Sequence, residues 1–286
     1  MKIKGTKVLI TGGASGIGKI MGRIALEKGA DSLVIWDVNQ ENLDAVVAEF
    51  SPKGKVYGYR VDVADFEMVQ HSYQTVKNEC GDVDILINCA GVVTSNNHFF
   101  NLNISDIDRT MKINAIAPMY VTLPFLKDMV ERDRGHVCTI ASAAGMLSNP
   151  RMSVYAASKW AALGWSESIR IELKEMKSSV KSTTIAPYYI STGMFDGVQS
   201  RLFPILEPEK VANKIIKAIE SDRNFKGMPF GFHFIRFLQG ILPFSWFDFI
   251  ISSTPWRFNT KRERFFIKNG HFVAFLKSIW YNKSST

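Results

Sequence analysis

The chain has 286 residues, 46% of them hydrophobic and 22% charged, with a net charge of +8, so it can bury a sizeable core as one large domain or a domain plus an appendage. Its three cysteines, Cys80, Cys89 and Cys138, are too few and too scattered for a disulfide framework or a zinc site, and they suit buried thiols in a reducing compartment. No uninterrupted apolar run of about 18 residues offers a membrane-spanning helix, and the opening Met1-Lys-Ile-Lys-Gly-Thr-Lys7 carries no secretory signal, so the expected location is the cytoplasm.

Lys7-Val-Leu-Ile10 predicts a first strand. It runs into Thr11-Gly12-Gly13-Ala14-Ser15-Gly16-Ile17-Gly18 and then a helical pattern ending near Gly29. Strand, glycine-rich turn and helix in that order are the context in which glycine spacing is informative, because the backbone can approach a pyrophosphate that the helix N-terminus favours. The second strand, Ser32 to Asp37, ends in a carboxylate about 20 residues beyond the glycines, where it would accept the ribose hydroxyls of NAD and repel a 2′-phosphate. A helix over residues 40–50 follows, then a strand from Val56 to Val61 that ends in Asp62-Val63. Asp62 either contacts an adenine or caps the next helix, which begins near Asp65.

The strand from Val83 closes in Asn88-Cys89-Ala90-Gly91, small residues that suit backbone passing close to a flat ligand or packing against a neighbour. Residues 103–129 read as one long helix. Asn114 lies inside it, either facing solvent or held by a hydrogen-bonding task. Val137-Cys-Thr-Ile140 is a buried strand, Ser142 follows it, and a helix rich in good formers carries Tyr155 and Lys159 one turn apart on the same face. A free tyrosine titrates near ~10, and a neighbouring ammonium should lower that value. A hydroxyl, a tunable phenol and a lysine suit proton transfer to or from an alcohol or carbonyl, although Tyr-x-x-x-Lys alone is also common on surface helices. A strand from Val180 to Ala186, the stretch Pro187-Tyr-Tyr-Ile190-Ser-Thr192 and a helix from Pro208 to Ile219 complete the pattern. Strands alternating with helices imply an α/β fold, a single doubly wound parallel sheet with helices on both faces. In such sheets ligands bind at the carboxyl ends of the strands, where these motifs sit.

Taken together, Thr11-Gly12-x-x-x-Gly16-x-Gly18, Asn88-x-Ala90-Gly91, Asn114, Ser142 and Tyr155-x-x-x-Lys159 resemble the short-chain dehydrogenase/reductase family over roughly residues 5 to 220. That resemblance implies hydride transfer between NAD(H) and an alcohol or carbonyl. Tyr155 would be the general acid/base and Ser142 would orient the substrate oxygen. Lys159 would hold the nicotinamide ribose, and Asn114 would support a water in the proton relay. Gly12, Ser15, Gly16, Ile17, Gly18, Asp37, Asp62, Val63, Asn88, Ala90, Gly91, Tyr155, Lys159, Ile190 and Thr192 would contact the cofactor. Tyr188 replaces the glycine of the family's Pro-Gly-x-x-x-Thr loop, while Thr192 is retained. Val34-Ile-Trp-Asp37, Ser191-Thr-Gly-Met-Phe-Asp196 and Leu206-Glu-Pro-Glu-Lys-Val-Ala212 resemble its retinol dehydrogenase and lipid-droplet hydroxysteroid dehydrogenase branch, whose members carry an N-terminal membrane anchor not seen here.

The division expected is a catalytic domain, residues 1–227, and an extension, 228–286. The extension carries eight Lys/Arg against two Asp/Glu and twelve of the twenty Phe. A basic, aromatic segment of this kind suits a substrate cap, a membrane-interface helix or a subunit contact. The expected partners are a small hydrophobic alcohol or carbonyl substrate, a lipid surface reached through the extension, and a second copy in a homodimer or homotetramer, with no nucleic acid and no metal. Two other readings are a 3-oxoacyl-thioester reductase, which Asp37 disfavours through the NADPH such enzymes use, and a nucleotide-binding scaffold at a lipid surface with vestigial catalysis.

Overall fold

The computed structural model describes residues 1–194, 198–199, 204–229, 231–243, 245–246 and 257–258. One compact unit takes in residues 1–196 and 200–256. A second unit, residues 197–199 and 257–286, contains an antiparallel pair of two-residue strands, β7 (Val198–Gln199) and β9 (Arg257–Phe258). Phe195, Asp196 and most of the aromatic, basic extension lie outside the described residues.

The main unit is built on a parallel sheet of seven strands: β1 (Lys7–Thr11), β2 (Ser32–Asp37), β3 (Lys55–Arg60), β4 (Ile85–Asn88), β5 (His136–Ile140), β6 (Lys181–Pro187) and β8 (Phe225–Met228). Their order is β3-β2-β1-β4-β5-β6-β8. The chain reverses its direction of travel across the sheet between β1 and β4, so the connections leaving these paired strands diverge and a crevice opens at their carboxyl ends. Strand β8, which the sequence pattern did not reveal, extends the sheet beyond β6 and spans the boundary expected at residue 227.

The helices are α1 (Gly16–Glu27), α2 (Gln40–Phe50), α3 (Phe66–Glu79), α4 (Ile104–Met111), α5 (Ala117–Glu131), α6 (Ser153–Glu175), α7 (Pro208–Glu220) and α8 (Gly231–Ile241). Alternation along the strands feeds two cores. Val8 and Ile10 of β1 with Leu33 and Ile35 of β2 pack under Met21, Ile24, Phe50 and Ile215 of α1, α2 and α7. Leu9, Val34 and Trp36 point the other way, under Val69, Val76, Val121 and Phe125 of α3 and α5. Trp36 and Phe125 meet with ring centroids 5.7 Å apart.

The helix expected over residues 103–129 is helical throughout but not uniform. Between α4 and α5 the segment Lys112–Ile116 forms a π-turn, in which the Ala117 N–H donates to the Lys112 carbonyl five residues back. Pro118 has no N–H to offer the carbonyl of Asn114, so the ordinary four-residue ladder is interrupted there. Helix α8 stops at Ile241, ahead of Pro243. Among the described residues no helix is long and apolar enough to cross a membrane.

His136, at the start of β5, is fully buried, with Nε2 2.8 Å from the Thr183 hydroxyl. Burial, more than the nearby amino terminus, pushes its pKa down to about 4. The unfolded chain therefore binds a proton below pH ~6.5 that the folded chain refuses until about pH 4, so stability falls with pH across that window, by up to about 3 kcal/mol. Denaturant unfolding at pH 7 and pH 4.5 should show this loss in the wild type and a clearly smaller one in His136→Gln; equal losses would refute the assignment.

Candidate active site

The crevice between the ends of β1 and β4 is a cavity of about 720 Å³. Gly12, Ser15, Gly16, Ile17, Gly18, Asp37, Asp62, Val63, Ala90, Gly91, Ser142, Tyr155, Lys159, Ile190 and Thr192 all line it. Asn88 and Asn114 are not lining residues.

The glycine turn is shaped by close approach. Gly12 has φ +65°, and a Cβ on it would meet Ala90 Cα at 2.9 Å. A Cβ on Gly18 would sit 2.2 Å from the Gly12 carbonyl oxygen, so α1 packs directly on the turn. The Ser15 side chain does not cap α1 and no acidic residue occupies its first turn, which leaves the first amides and the positive end of the helix dipole to an anion. The Thr11 hydroxyl ties the two strand ends together, accepting from the N–H of Cys89 at 3.1 Å and of Ala90 at 3.2 Å. At the end of β2 the Asp37 carboxylate accepts from the N–H of Ala14 (3.0 Å) and of Asn39 (3.1 Å), which orients it at the rim. Asp62 stands beside it, its Oδ1 accepting from Ala64 N–H. The cap of α3 is Asp65, through Met68 N–H, so the capping role belongs to that residue and not to Asp62. This cradle of glycine turn, open helix end and rim carboxylates fits a dinucleotide.

At the opposite end of the cavity three side chains converge. Ser142 caps the short turn Ala143–Gly145, its Oγ accepting from Ala144 N–H at 3.1 Å. Its own proton is thereby left for the Tyr155 oxygen, and that hydrogen bond works to lower the Tyr155 pKa. Lys159 Nζ lies 5.9 Å from the Tyr155 ring centroid and donates to the Ile140 carbonyl at 3.1 Å. Tyr155 is 7% exposed and Lys159 5%. Burial decides both: it pushes the phenol up to about 12 and the ammonium down to about 8. The expectation that the lysine would hold the phenol below its ordinary value is therefore corrected for this state of the site, because the cost of stripping water from a phenolate is the larger effect.

Asn88 and Asn114 act from behind the wall. Asn88 Nδ2 donates to the Thr122 hydroxyl at 2.8 Å, pinning β4 to α5. Asn114 pairs with Val92 as another strand would, Oδ1 accepting from its N–H and Nδ2 donating to its carbonyl, both at 2.8 Å. Nδ2 also reaches Ser158 Oγ at 3.2 Å, and that hydroxyl donates to the Tyr155 carbonyl at 2.7 Å. A chain of polar contacts thus runs from the loop after β4 through the π-turn to the turn of α6 that carries Tyr155. Thr11 and Ser158 went unremarked in the sequence, since a threonine at a strand end and a serine within a helix carry no distinctive pattern.

Residues 6–202 match the family model described as short chain dehydrogenase. The chain belongs to that family. It is an oxidoreductase by that membership. It is 38% identical over 247 residues to epidermal retinol dehydrogenase 2 of Mus musculus, covering 84% of this chain and 79% of that one. To estradiol 17-beta-dehydrogenase 11 of Homo sapiens it is 35% identical over 243 residues, covering 84% and 80%. A short chain dehydrogenase/reductase from Burkholderia phymatum, solved in complex with NAD, has the same fold, with a TM-score of 0.77, 22% identity and coverage of 91% of this chain and 99% of that one.

Within this short-chain dehydrogenase the stretch after β6 departs from a glycine-bearing turn without strain. Tyr188 N–H donates to the Met228 carbonyl at 2.8 Å, continuing the pairing of β6 with β8, and its φ is not positive. Its ring packs edge-on against that of Tyr189, with centroids 4.7 Å apart, and both line the cavity.

Asn114→Ala should cost about 1–3 kcal/mol in denaturant unfolding, the range for leaving buried backbone groups unpaired. A variant as stable as the wild type would show that the Val92 clamp is replaceable.

Proposed function

We propose that the protein is an NAD-dependent dehydrogenase or carbonyl reductase of a hydrophobic alcohol, with Tyr155 as general acid/base. The observation that carries this reading is the convergence of Ser142, Tyr155 and Lys159 at one end of a cavity whose other end is a dinucleotide cradle. Bound nicotinamide supplies or accepts the hydride. The first turn of α1 receives the pyrophosphate, and Asp37 accepts hydrogen bonds from the adenosine ribose and repels a 2′-phosphate. Ser142 donates to the substrate oxygen, while Tyr155 gives that oxygen a proton in reduction and takes one in oxidation. The Lys159 ammonium stabilises the phenolate and holds the second ribose.

The apolar character of the substrate is supported by the wall of the cavity, where Leu147, Tyr188 and Tyr189 are buried and Met194 is exposed. The relatives named for retinol and estradiol agree with it. Phe237, Ile241 and Trp246, beyond β8, are exposed apolar groups that fit the proposed role of residues 228–286 as a cap over the substrate or a contact with lipid.

With NAD offered against a panel of retinoid, steroid and long-chain alcohols, NADH absorbance should report turnover. Tyr155→Phe should lower it by about a hundredfold or more; undiminished turnover would sink the assignment. Replacing Asp37 by Ser should shift the NAD-over-NADP preference in kcat/KM toward NADP by about tenfold.

The pH profile has a definite form. Oxidation needs phenolate and ammonium together, and kcat/KM reports the free enzyme. With Lys159 titrating at about 8 and Tyr155 at about 12, kcat/KM should rise about tenfold per unit up to pH 8 and level off above it. A rise continuing unbroken to pH 10 would separate Lys159 from the proton transfer.

A further inference from the structure

The chain leaving β3 is tied to the start of α3 through a sulfur. Asp65 caps α3, its carboxylate accepting from Met68 N–H at 3.1 Å. Met68, three residues past that cap, sends its side chain back toward β3, and its Sδ accepts from Asp62 N–H at 3.1 Å. Two further bonds close the same turn. The Asp62 carbonyl accepts from Asp65 N–H at 3.1 Å, and the Asp62 carboxylate accepts from Ala64 N–H at 2.9 Å. Asp62 and Val63 line the cavity, as Asp37 does.

At that position of a helix, glutamate or glutamine is the usual side chain to reach back to a free amide, and each accepts with an oxygen. A thioether accepts only weakly, but it has a redox chemistry that those oxygens lack. Met68 is 39% exposed, so a small oxidant in solvent reaches it. With hydrogen peroxide, a sulfur lone pair attacks one peroxide oxygen, the O–O bond breaks as the S–O bond forms, and the second oxygen leaves as water. Sulfur is oxidised by two electrons and peroxide is reduced by two. The sulfoxide is polar and chiral at sulfur, and its acceptor is an oxygen one bond beyond the original atom. Asp62 N–H must follow that oxygen or go unpaired, and either outcome shifts the turn that sets Asp62 and Val63 at the cavity.

We propose that Met68 is a peroxide-sensitive positioning residue, whose oxidation to the sulfoxide displaces the Asp62–Val63 turn and weakens NAD(H) binding. This rests on the reading of that rim as part of the dinucleotide cradle. Met176 and Met194 are more exposed, at 56% and 48%, and oxidise as well. The sulfur that holds the Asp62 amide is that of Met68.

The test uses the full-length protein, treated with hydrogen peroxide and then with dithiothreitol, which reduces sulfenic acids and disulfides and leaves methionine sulfoxide in place. Peptide mass mapping follows the gain of one oxygen at Met68, and NADH fluorescence reads the affinity. As Met68 is oxidised, the dissociation constant for NADH should rise by about fivefold, the scale of one hydrogen bond lost. Methionine sulfoxide reductase should restore it. Met68→Gln keeps a reach-back acceptor that peroxide does not oxidise, so its affinity should stay at its own untreated value. Met194→Leu should lose affinity on treatment as the wild type does. Unchanged affinity with Met68 fully oxidised would overturn this inference and leave the dehydrogenase reading standing. So would an equal loss in Met68→Gln, which would trace the effect to another residue, or a Met68 that stays reduced while Met176 is oxidised. An untreated protein that binds neither NAD nor NADH would overturn the cofactor reading beneath it.

Discussion

Two ionisable side chains on one turn of α6 are kept from water, and much of the structure exists to hold them there. Burial favours the neutral form of each: it raises the phenol of Tyr155 and lowers the ammonium of Lys159. Against that stand the Ser142 hydroxyl on the tyrosine oxygen and the Ile140 carbonyl on the lysine. Desolvation makes both groups responsive, because any charge brought close to them acts in a medium of low dielectric. The turn of Gly145 is pressed onto the same helix so closely that a Cβ there would lie 2.6 Å from the Lys159 carbonyl oxygen. Ser142, at the head of that turn, is thereby set in register with Tyr155.

The π-turn belongs to the same construction. A regular helix through residues 112–116 would keep its ladder closed, whereas Pro118 interrupts it just where Asn114 must turn its amide toward Val92 and Ser158. The loop after β4, the long helical segment and α6 then share one buried polar network. Such a network is unforgiving, since each member left unpaired costs more than the bond itself contributes. It ties Val92, in the loop after β4, to the turn of α6 that carries Tyr155.

The dinucleotide end depends on backbone and not on side-chain chemistry. Gly12 meets Ala90, Gly18 meets Gly12, and the Thr11 hydroxyl bonds the end of β1 to the chain leaving β4. Of the two carboxylates at its rim, Asp37 is oriented by two main-chain amides and Asp62 by one. The two ends share one cavity, which the glycine turn lines together with Ser142 and Tyr155.

What the sequence alone determined was whatever depends on local periodicity and on residues whose chemistry shows in their spacing. Short, mostly apolar runs placed β1 to β6, and the glycine turn declared itself by position after a first strand. Tyr155 and Lys159 share a face of α6 whatever surrounds the helix. The tertiary structure decided the rest, because burial and pairing across the sheet have no local signature. Strand β8, short and interrupted by Gly227, is a strand only because β6 offers it an open edge. Whether Asn114 faces solvent or has a hydrogen-bonding task was open in the sequence, and the partners of Asn88 and Asn114 are set by neighbours 34 and 22 residues away. The direction of the Tyr155 shift was likewise out of reach, for it compares a lysine one turn away with the water excluded by the whole fold.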